Sequence, residues 1–293
     1  MLLRVEPARV FILTSLAMIA FAANSLFCRL ALRRGTIDAA TFSSIRIIAG
    51  AIALWLIVTV RKSTANKSGS WRSAAALFAY VAAFSFAYNS LTAGTGALLL
   101  FAAVQSTMVI WGLIKGERLS VRQWFGFLLA SAGLVWLVLP GLTAPPVVGS
   151  MLMLSAGVAW GVYSLRGKLE KDPIGATTGN FLRAVPMTLV LSASCLPLFR
   201  IDQTGVAYAV LSGAITSGVG YVIWYAALTG LTATSAATVQ LSAPVLATIG
   251  GIIFLHEGLT MRLIVASVAV LGGIALVVIK SRRPGRDASS TGP

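Results

Sequence analysis

Ten runs of about 16 to 24 residues, nearly free of charge, follow one another along the 293-residue chain with only short breaks between them. A bilayer core of about 30 Å takes about 20 helical residues to cross, and only closed helices or barrels satisfy their backbone there. The runs are Val10–Leu32, Phe42–Val60, Trp71–Ser90, Ala93–Ile114, Trp124–Leu139, Val147–Leu165, Thr178–Leu198, Gly205–Leu228, Ala233–Leu255 and Leu263–Ile279. They predict an all-α integral membrane protein of ten transmembrane helices with almost nothing outside the bilayer. Charged residues make up 11% of the chain, against about 25% in a soluble domain, which excludes a water-soluble globule.

The breaks carry turn chemistry: Arg33-Arg34-Gly35, the polar stretch 62–70, Pro140-Gly141 with Pro145-Pro146, and Lys171-Asp172-Pro173. None is long enough for a linker. The N-terminal run has the Arg4/Arg9 flank and Ala20-Phe21-Ala22 of a secretory signal, but its apolar stretch continues to Leu32, as a span does. Cys28 and Cys195 show no disulfide or metal-ligand spacing, so neither metal nor cofactor is expected.

The balance of 23 Lys and Arg against 8 Asp and Glu is read here as loop charge and not as a nucleic-acid footprint. With the N-terminus inside, sixteen basic residues fall on the cytoplasmic side, in the groups around Arg9, Arg61, Lys115, Arg166 and Arg282. Five face the opposite side: Arg29, Arg33, Arg34, Arg200 and Arg262. The positive-inside rule then places both termini in the cytoplasm. The segment 281–293, rich in Arg, Ser and Gly, reads as a disordered basic tail at the anionic leaflet.

The chain also repeats itself. A shift of 140 residues lays Glu117, Leu119, Ser120 and Arg122 on Glu257, Leu259, Thr260 and Arg262. A shift of 137 pairs Arg29 with Arg166, Arg46 with Arg183 and Tyr88 with Tyr225. Scarce charges recur in step, so the halves 1–142 and 143–280 read as duplicated five-helix units. Five is odd, so the second unit enters the membrane from the other side. Such inverted repeats are a device of secondary transporters, whose solute site lies at the repeat interface.

Gly220-Tyr221-Val222-Ile223-Trp224-Tyr225-Ala226-Ala227-Leu228, then Ala236-Ala237-Thr238-Val239-Gln240-Leu241-Ser242-Ala243-Pro244 and Leu255-His256-Glu257, resemble the eighth and ninth helices of ten-helix, EamA-type members of the drug/metabolite transporter superfamily. The resemblance covers Val10 to Ile279 and is nearest to the YddG-type amino-acid exporters. It implies a bacterial inner-membrane exporter or exchanger of amino acids, other metabolites or drugs. The chain departs from the family at Val104, which stands where a proline matching Pro244 is usual, so a bend in the fourth helix is not implied.

Candidate binding groups are the polar and aromatic residues away from helix ends. Tyr80, Phe84 and Tyr88 share a face of the third helix; Tyr221 and Tyr225 do so on the eighth, and Trp160 and Tyr163 are neighbours on the sixth. Asn24, Gln105, Gln240 and Ser242 add amides and a hydroxyl. Buried in lipid without partners, such groups would each lose several kcal/mol by order of magnitude, so they are expected to line a cavity; interhelical hydrogen bonds are the structural alternative. A neutral cavity of this kind suits a zwitterion, with an ammonium on a ring face.

Arg46 and Arg183 lie near span ends and are expected to snorkel to the interface. Glu117 with Arg122, and Glu257 with Arg262, read either as loop-fixing pairs or as gate salt bridges. With no carboxylate at the midplane, transport is expected to run on the solute's own gradient; a proton-coupled multidrug or metabolite pump of the same fold is the alternative, with His256-Glu257 as its titratable pair. No Ser-x-x-Lys, paired Asp or His-Glu-x-x-His set is present, so an enzyme is not expected. The expected partners are a small-molecule solute and membrane lipid, with the oligomeric state open between monomer and weak dimer. Gly112/Gly116, Gly126/Ala130 and Gly157/Gly161 are read as close-packing positions, and Pro186 and Pro244 as kink points.

Overall fold

The computed structural model describes residues 7–61, 68–168, 170–231 and 233–278. Among these residues ten helical spans follow in order: α1 (Pro7–Arg33), α2 (Ala39–Val60), α3 (Trp71–Ala87), α4 (Ala93–Ile114) and α5 (Val121–Val138) form the first half. The second half holds α6 (Val147–Gly167), α7 (Pro173–Ser194), α8 (Gln203–Leu228), α9 (Ala233–Gln240 and Ser242–Leu255) and α10 (Met261–Val278). The basic tail 281–293 lies outside the described residues.

Local chemistry sets the ends. Asp38 caps α2 by accepting from the Ala40 and Thr41 amides, and Asp172 caps α7 by accepting from Gly175. Pro173 at the first position starts α7 five residues ahead of the apolar run, so this helix begins at Pro173 and not at Thr178. Each fourth helix of a half ends on a left-handed residue, Gly116 (φ 89°) after α4 and His256 (φ 51°) after α9. These are the two residues that the 140-residue shift superposes.

Two departures from regular helix bear on the site. α9 breaks at Leu241, because Pro244 has no N–H to donate to the Gln240 carbonyl. α4, with Val104 at the matching place, runs unbroken. Within α8, Leu211–Val219 is π-helical, a device that widens one turn and turns side chains out of register. Nothing in the residue types of that segment announces it.

The packing has the symmetry of the repeat. Exchanging the halves maps the α3–α6 contact onto α1–α8, α4–α6 onto α1–α9, and α3–α7 onto α2–α8, while α2–α7, α4–α9 and α5–α10 map onto themselves. The protein is therefore two five-helix units of inverted topology meeting along a broad interface. α5 and α10 close on each other through small residues: a Cβ on Gly273 would stand 2.4 Å from the Gly126 carbonyl oxygen, and one on Gly126 would stand 2.5 Å from that of Gly273. Gly157 and Gly161 bring α6 against Ala103 and Thr107 of α4 as expected. Gly112 and Gly116 do not join helices: Gly112 makes room for the Glu117 carboxylate, and Gly116 is the left-handed cap.

Candidate functional site

Between the halves lies a cavity of about 380 Å³ formed by α1, α4, α6, α8 and α9. Gln105, Trp160, Tyr163, Tyr221, Tyr225 and Gln240, all singled out in the sequence, line it. Its rim at the α6–α7 end carries Lys168 and Glu170. Beyond Trp160, toward the other face, a chamber of about 20 Å³ continues between Asn24, Ser25, Tyr80, Phe84 and Thr216, sharing Phe21, Trp160 and Tyr221 with the large cavity.

Aromatic rings make the wall. Trp160 stands at their centre, with centroids 4.8 Å from Tyr80, 5.3 Å from Tyr163 and 5.2 Å from Tyr221. Hydroxyls fix the rings: Tyr163 donates to Thr177 Oγ1 at 3.3 Å, and Thr177 lies 3.3 Å from the Tyr225 hydroxyl. Asn24 is held from both sides, donating to the Tyr80 hydroxyl at 3.4 Å and accepting from Ser212 at 2.7 Å. Ser212 belongs to the π-helical stretch of α8, so that widened turn positions the amide. Phe21 and Trp224 also line the large cavity, and Thr177 ties two of its tyrosines; none of the three was among the binding candidates read from the sequence, because their place depends on helix rotation.

Two candidates fall elsewhere. Tyr88 is fully buried, donates to the Ala93 carbonyl at 3.3 Å and packs edge-on to Phe84, away from the cavity. Ser242 spends its hydroxyl on the Val239 carbonyl at 2.7 Å, at the break in α9.

The charges also differ from the local pairing expected of them. Glu257 does not pair with Arg262. Its Oε1 accepts from Arg29 Nε at 3.1 Å and its Oε2 from the Ala93 amide, at the positive N-terminus of α4, at 2.8 Å. Arg29 Nη1 also donates to the Tyr88 and Asn89 carbonyls. The left-handed His256 swings Glu257 back over Gly251, where a Cβ would stand 2.7 Å from its Oε2. Arg262 instead donates to the Leu139 carbonyl at the end of α5 and lies over the Trp136 ring. This Arg29–Glu257 knot closes the end of the interface opposite the α6–α7 rim.

At the rim end the matching residues are apart. Arg166, the counterpart of Arg29, donates to Ser73 at 2.9 Å and Ser70 at 3.2 Å. Glu117, the counterpart of Glu257, is exposed and has no ion-pair partner among the described residues, Arg122 included.

Arg46 is the largest correction. It lies 0% exposed within α2 and does not snorkel. Gly50 and Gly213, both backed by foreign atoms, let α7 and α8 close over this part of α2: a Cβ on Gly213 would stand 2.2 Å from the Arg46 carbonyl oxygen. Its guanidinium lies over Tyr80 and Phe84, 5.3 and 5.0 Å from the ring centroids. It donates to the Tyr80 hydroxyl at 3.1 Å and to Ser217 at 3.3 Å. The region behind the chamber is therefore positively charged and not neutral. Arg183, by contrast, reaches the Ser68 carbonyl outside the helix ends.

Two opposed five-helix units enclosing a polar-aromatic cavity define a polytopic membrane transporter. The EamA-like transporter family model matches the chain twice, over residues 8–139 and 147–279, and the protein belongs to that family. It is 52% identical over 271 residues to an uncharacterized protein of Pseudomonas aeruginosa, covering 92% of this chain and 94% of that one. An uncharacterized transporter of Archaeoglobus fulgidus is 26% identical, covering 94% of this chain and 99% of its own. The threonine/homoserine exporter RhtA of Salmonella typhimurium is 34% identical over 152 residues, 49% of this chain and 50% of that one. A crystal structure of 21% sequence identity shares the fold with a TM-score of 0.60, covering 90% of this chain and 98% of the other.

Proposed function

We propose that this membrane transporter exports small amphipathic metabolites, foremost neutral or aromatic amino acids, by alternating access. The observation that carries the reading is the asymmetry of two equivalent charge sets: Arg29 and Glu257 are locked together at one end, while their repeat counterparts Arg166 and Glu117 are separate at the other. An inverted repeat exchanges its two conformations end for end. In the second state Arg166 and Glu117 join over the α6–α7 rim, and Arg29 releases Glu257.

The distribution of basic loops supports a bacterial inner-membrane orientation with both termini inside, so the present cavity opens to the cytoplasm. The cavity's volume, its rings and its amides suit a zwitterion with an apolar side chain. No step of this cycle needs covalent chemistry. The threonine/homoserine exporter among the relatives supports the solute class. The solute's gradient drives the cycle, since among the described residues no carboxylate lines either hollow away from the rim.

The test is counterflow in proteoliposomes preloaded with unlabelled amino acid, following labelled phenylalanine, methionine or threonine with and without a pH gradient. Saturable uptake without the gradient, accelerated by internal substrate, is the expected result. Flux only with the gradient would replace this mechanism by the proton-coupled pump, and no flux of any of the three would remove the amino-acid assignment.

A further inference from the structure

Around the small chamber, hydrogen-bond donors outnumber acceptors. Arg46 carries five N–H groups and a fixed positive charge. Its Nε and Nη2 reach Ser217 and the Tyr80 hydroxyl, but Nη1 is buried with no partner among the described residues. No carboxylate among the described residues lies within ion-pair distance of it. The Tyr80 hydroxyl receives two donors, Arg46 Nη2 and Asn24 Nδ2, so its own hydrogen is left for an acceptor. The Asn24 oxygen is no such acceptor, being already engaged by Ser212 and Thr216.

A buried cation held by two ring faces and two hydroxyls keeps its full charge without a counter-ion. Removing that charge from water is expensive, and neutral partners return only part of the loss. A donor set that lacks its anion, beside a hollow facing the solute cavity, is the arrangement of a site whose counter-ion arrives with the ligand. Burial also makes any such anion count for more than it would at the surface.

We propose that Arg46, with Tyr80 and Asn24, forms a carboxylate-recognition site at the inner end of the cavity, so that the transported solute carries a carboxylate. The inference deepens the amino-acid reading above and rests on its placement of the solute in this cavity. The carboxylate meets the Tyr80 hydroxyl and the chamber first, with the guanidinium charge immediately behind. The apolar remainder of the solute lies against Trp160, Tyr163 and Tyr221. Selection is then by the acid group; the ammonium and side chain are read elsewhere in the cavity.

The test uses the purified full chain and three probes: phenylalanine, phenylalaninamide, which lacks the carboxylate, and 3-phenylpropionate, which lacks the ammonium. Competition against labelled phenylalanine counterflow and thermal stabilisation in detergent are both read. The amide is expected to bind at least thirtyfold more weakly than phenylalanine, while 3-phenylpropionate still binds. Arg46→Met is expected to bring phenylalanine down to the level of the amide, while the amide, itself a cation, binds no more weakly than to the wild type. Arg46→Lys keeps the charge but loses the planar fork, so its acid-over-amide ratio should fall between the two; it serves where Arg46→Met does not fold.

An amide as good as the acid in the wild type, or equal loss for acid and amide in both variants, overturns the recognition site while leaving the amino-acid carrier standing. Binding of 3-phenylpropionate with none of phenylalanine supports the site and removes the amino-acid assignment. Stabilisation by none of the three probes overturns the site.

Discussion

Arg29 and Glu257, 228 residues apart, meet at 3.1 Å and join the end of α1 to the loop between α9 and α10. Neither side chain is free to turn elsewhere, because Arg29 also holds the Tyr88 carbonyl and Glu257 also holds the Ala93 amide. One ion pair therefore ties four elements from both halves, and with it the closed end of the cavity. Charge-assisted bonds of this kind contribute about 1.5–3 kcal/mol each, enough to bias a two-state equilibrium by more than tenfold.

Glu257→Gln keeps the shape and removes the charge, so it should shift the population toward opening at this end. Ser25, which lines the small chamber, reports it as Ser25→Cys in a background with Cys28→Ala and Cys195→Ser. Labelling by an impermeant maleimide from the side of the Arg29–Glu257 knot should rise about tenfold, since 1.4 kcal/mol is a factor of ten. Unchanged labelling would mean that the knot does not hold the seal.

Arg166 and Glu117 should approach in the opposite state. The double variant Glu117→Cys with Arg166→Cys is expected to form a disulfide under oxidation and to do so faster with substrate present, trapping the protein with the α6–α7 rim closed. Counterflow should stop on oxidation and return on reduction. A pair that never cross-links during turnover would contradict the exchanged-gate cycle.

Trp160 touches Tyr80, Tyr163 and Tyr221, so Trp160→Ala removes the common wall of both hollows. Phenylalanine affinity should fall at least tenfold, about 1.4 kcal/mol or more, and Trp160→Phe should recover most of it. Tyr88→Phe should leave affinity within about twofold, because its hydroxyl faces the Ala93 carbonyl and not the cavity. Competition binding with detergent-purified protein checks both.

His256 stands where the first half has Gly116, and both are left-handed. His256→Gly relieves a conformation that L-residues adopt at a penalty of about 1 kcal/mol, so the melting temperature should hold or rise. Transport should be retained and remain independent of pH between 6 and 8. Abolished transport in a well-folded His256→Gly protein would favour the proton-coupled pump.

Much of this was legible from residue order, and the boundary between what was and was not has a physical basis. Spans show because a lipid-crossing helix excludes charge over its whole length, and the duplication shows because Arg29/Arg166 and Glu117/Glu257 are scarce residues recurring in step. The cavity wall at Trp160, Tyr163 and Tyr221 follows from the need to shelter polar and aromatic groups from lipid. Contacts between helices are another matter. Arg46 looks like a snorkelling residue on α2 alone; it is buried because Gly50 and Gly213 admit Phe181 and α8 from distant parts of the chain. Glu257 looks paired with Arg262 one turn ahead, but its backbone turns back at His256 toward Arg29. The π-helical turn that places Ser212 against Asn24 has no residue signature at all.

The seam between α5 and α10 offers a test of packing alone, independent of the solute. Gly272 and Gly273 are adjacent in one helix, yet a Cβ on Gly272 meets nothing within 4 Å, whereas one on Gly273 meets the backbone of α5, the Gly126 oxygen at 2.4 Å and the Ala130 nitrogen at 2.6 Å. Backbone cannot swing aside as a side chain can, so Gly273→Ala must push the helices apart. Overpacking of this kind typically costs about 1–3 kcal/mol, and detergent melting should show a drop of several degrees. Gly272→Ala adds only helix propensity, worth up to about 1 kcal/mol in its favour, and should leave the melting temperature unchanged or slightly higher. If the two variants melted alike, the close approach of α5 and α10 would not be what holds the last helix of each half together.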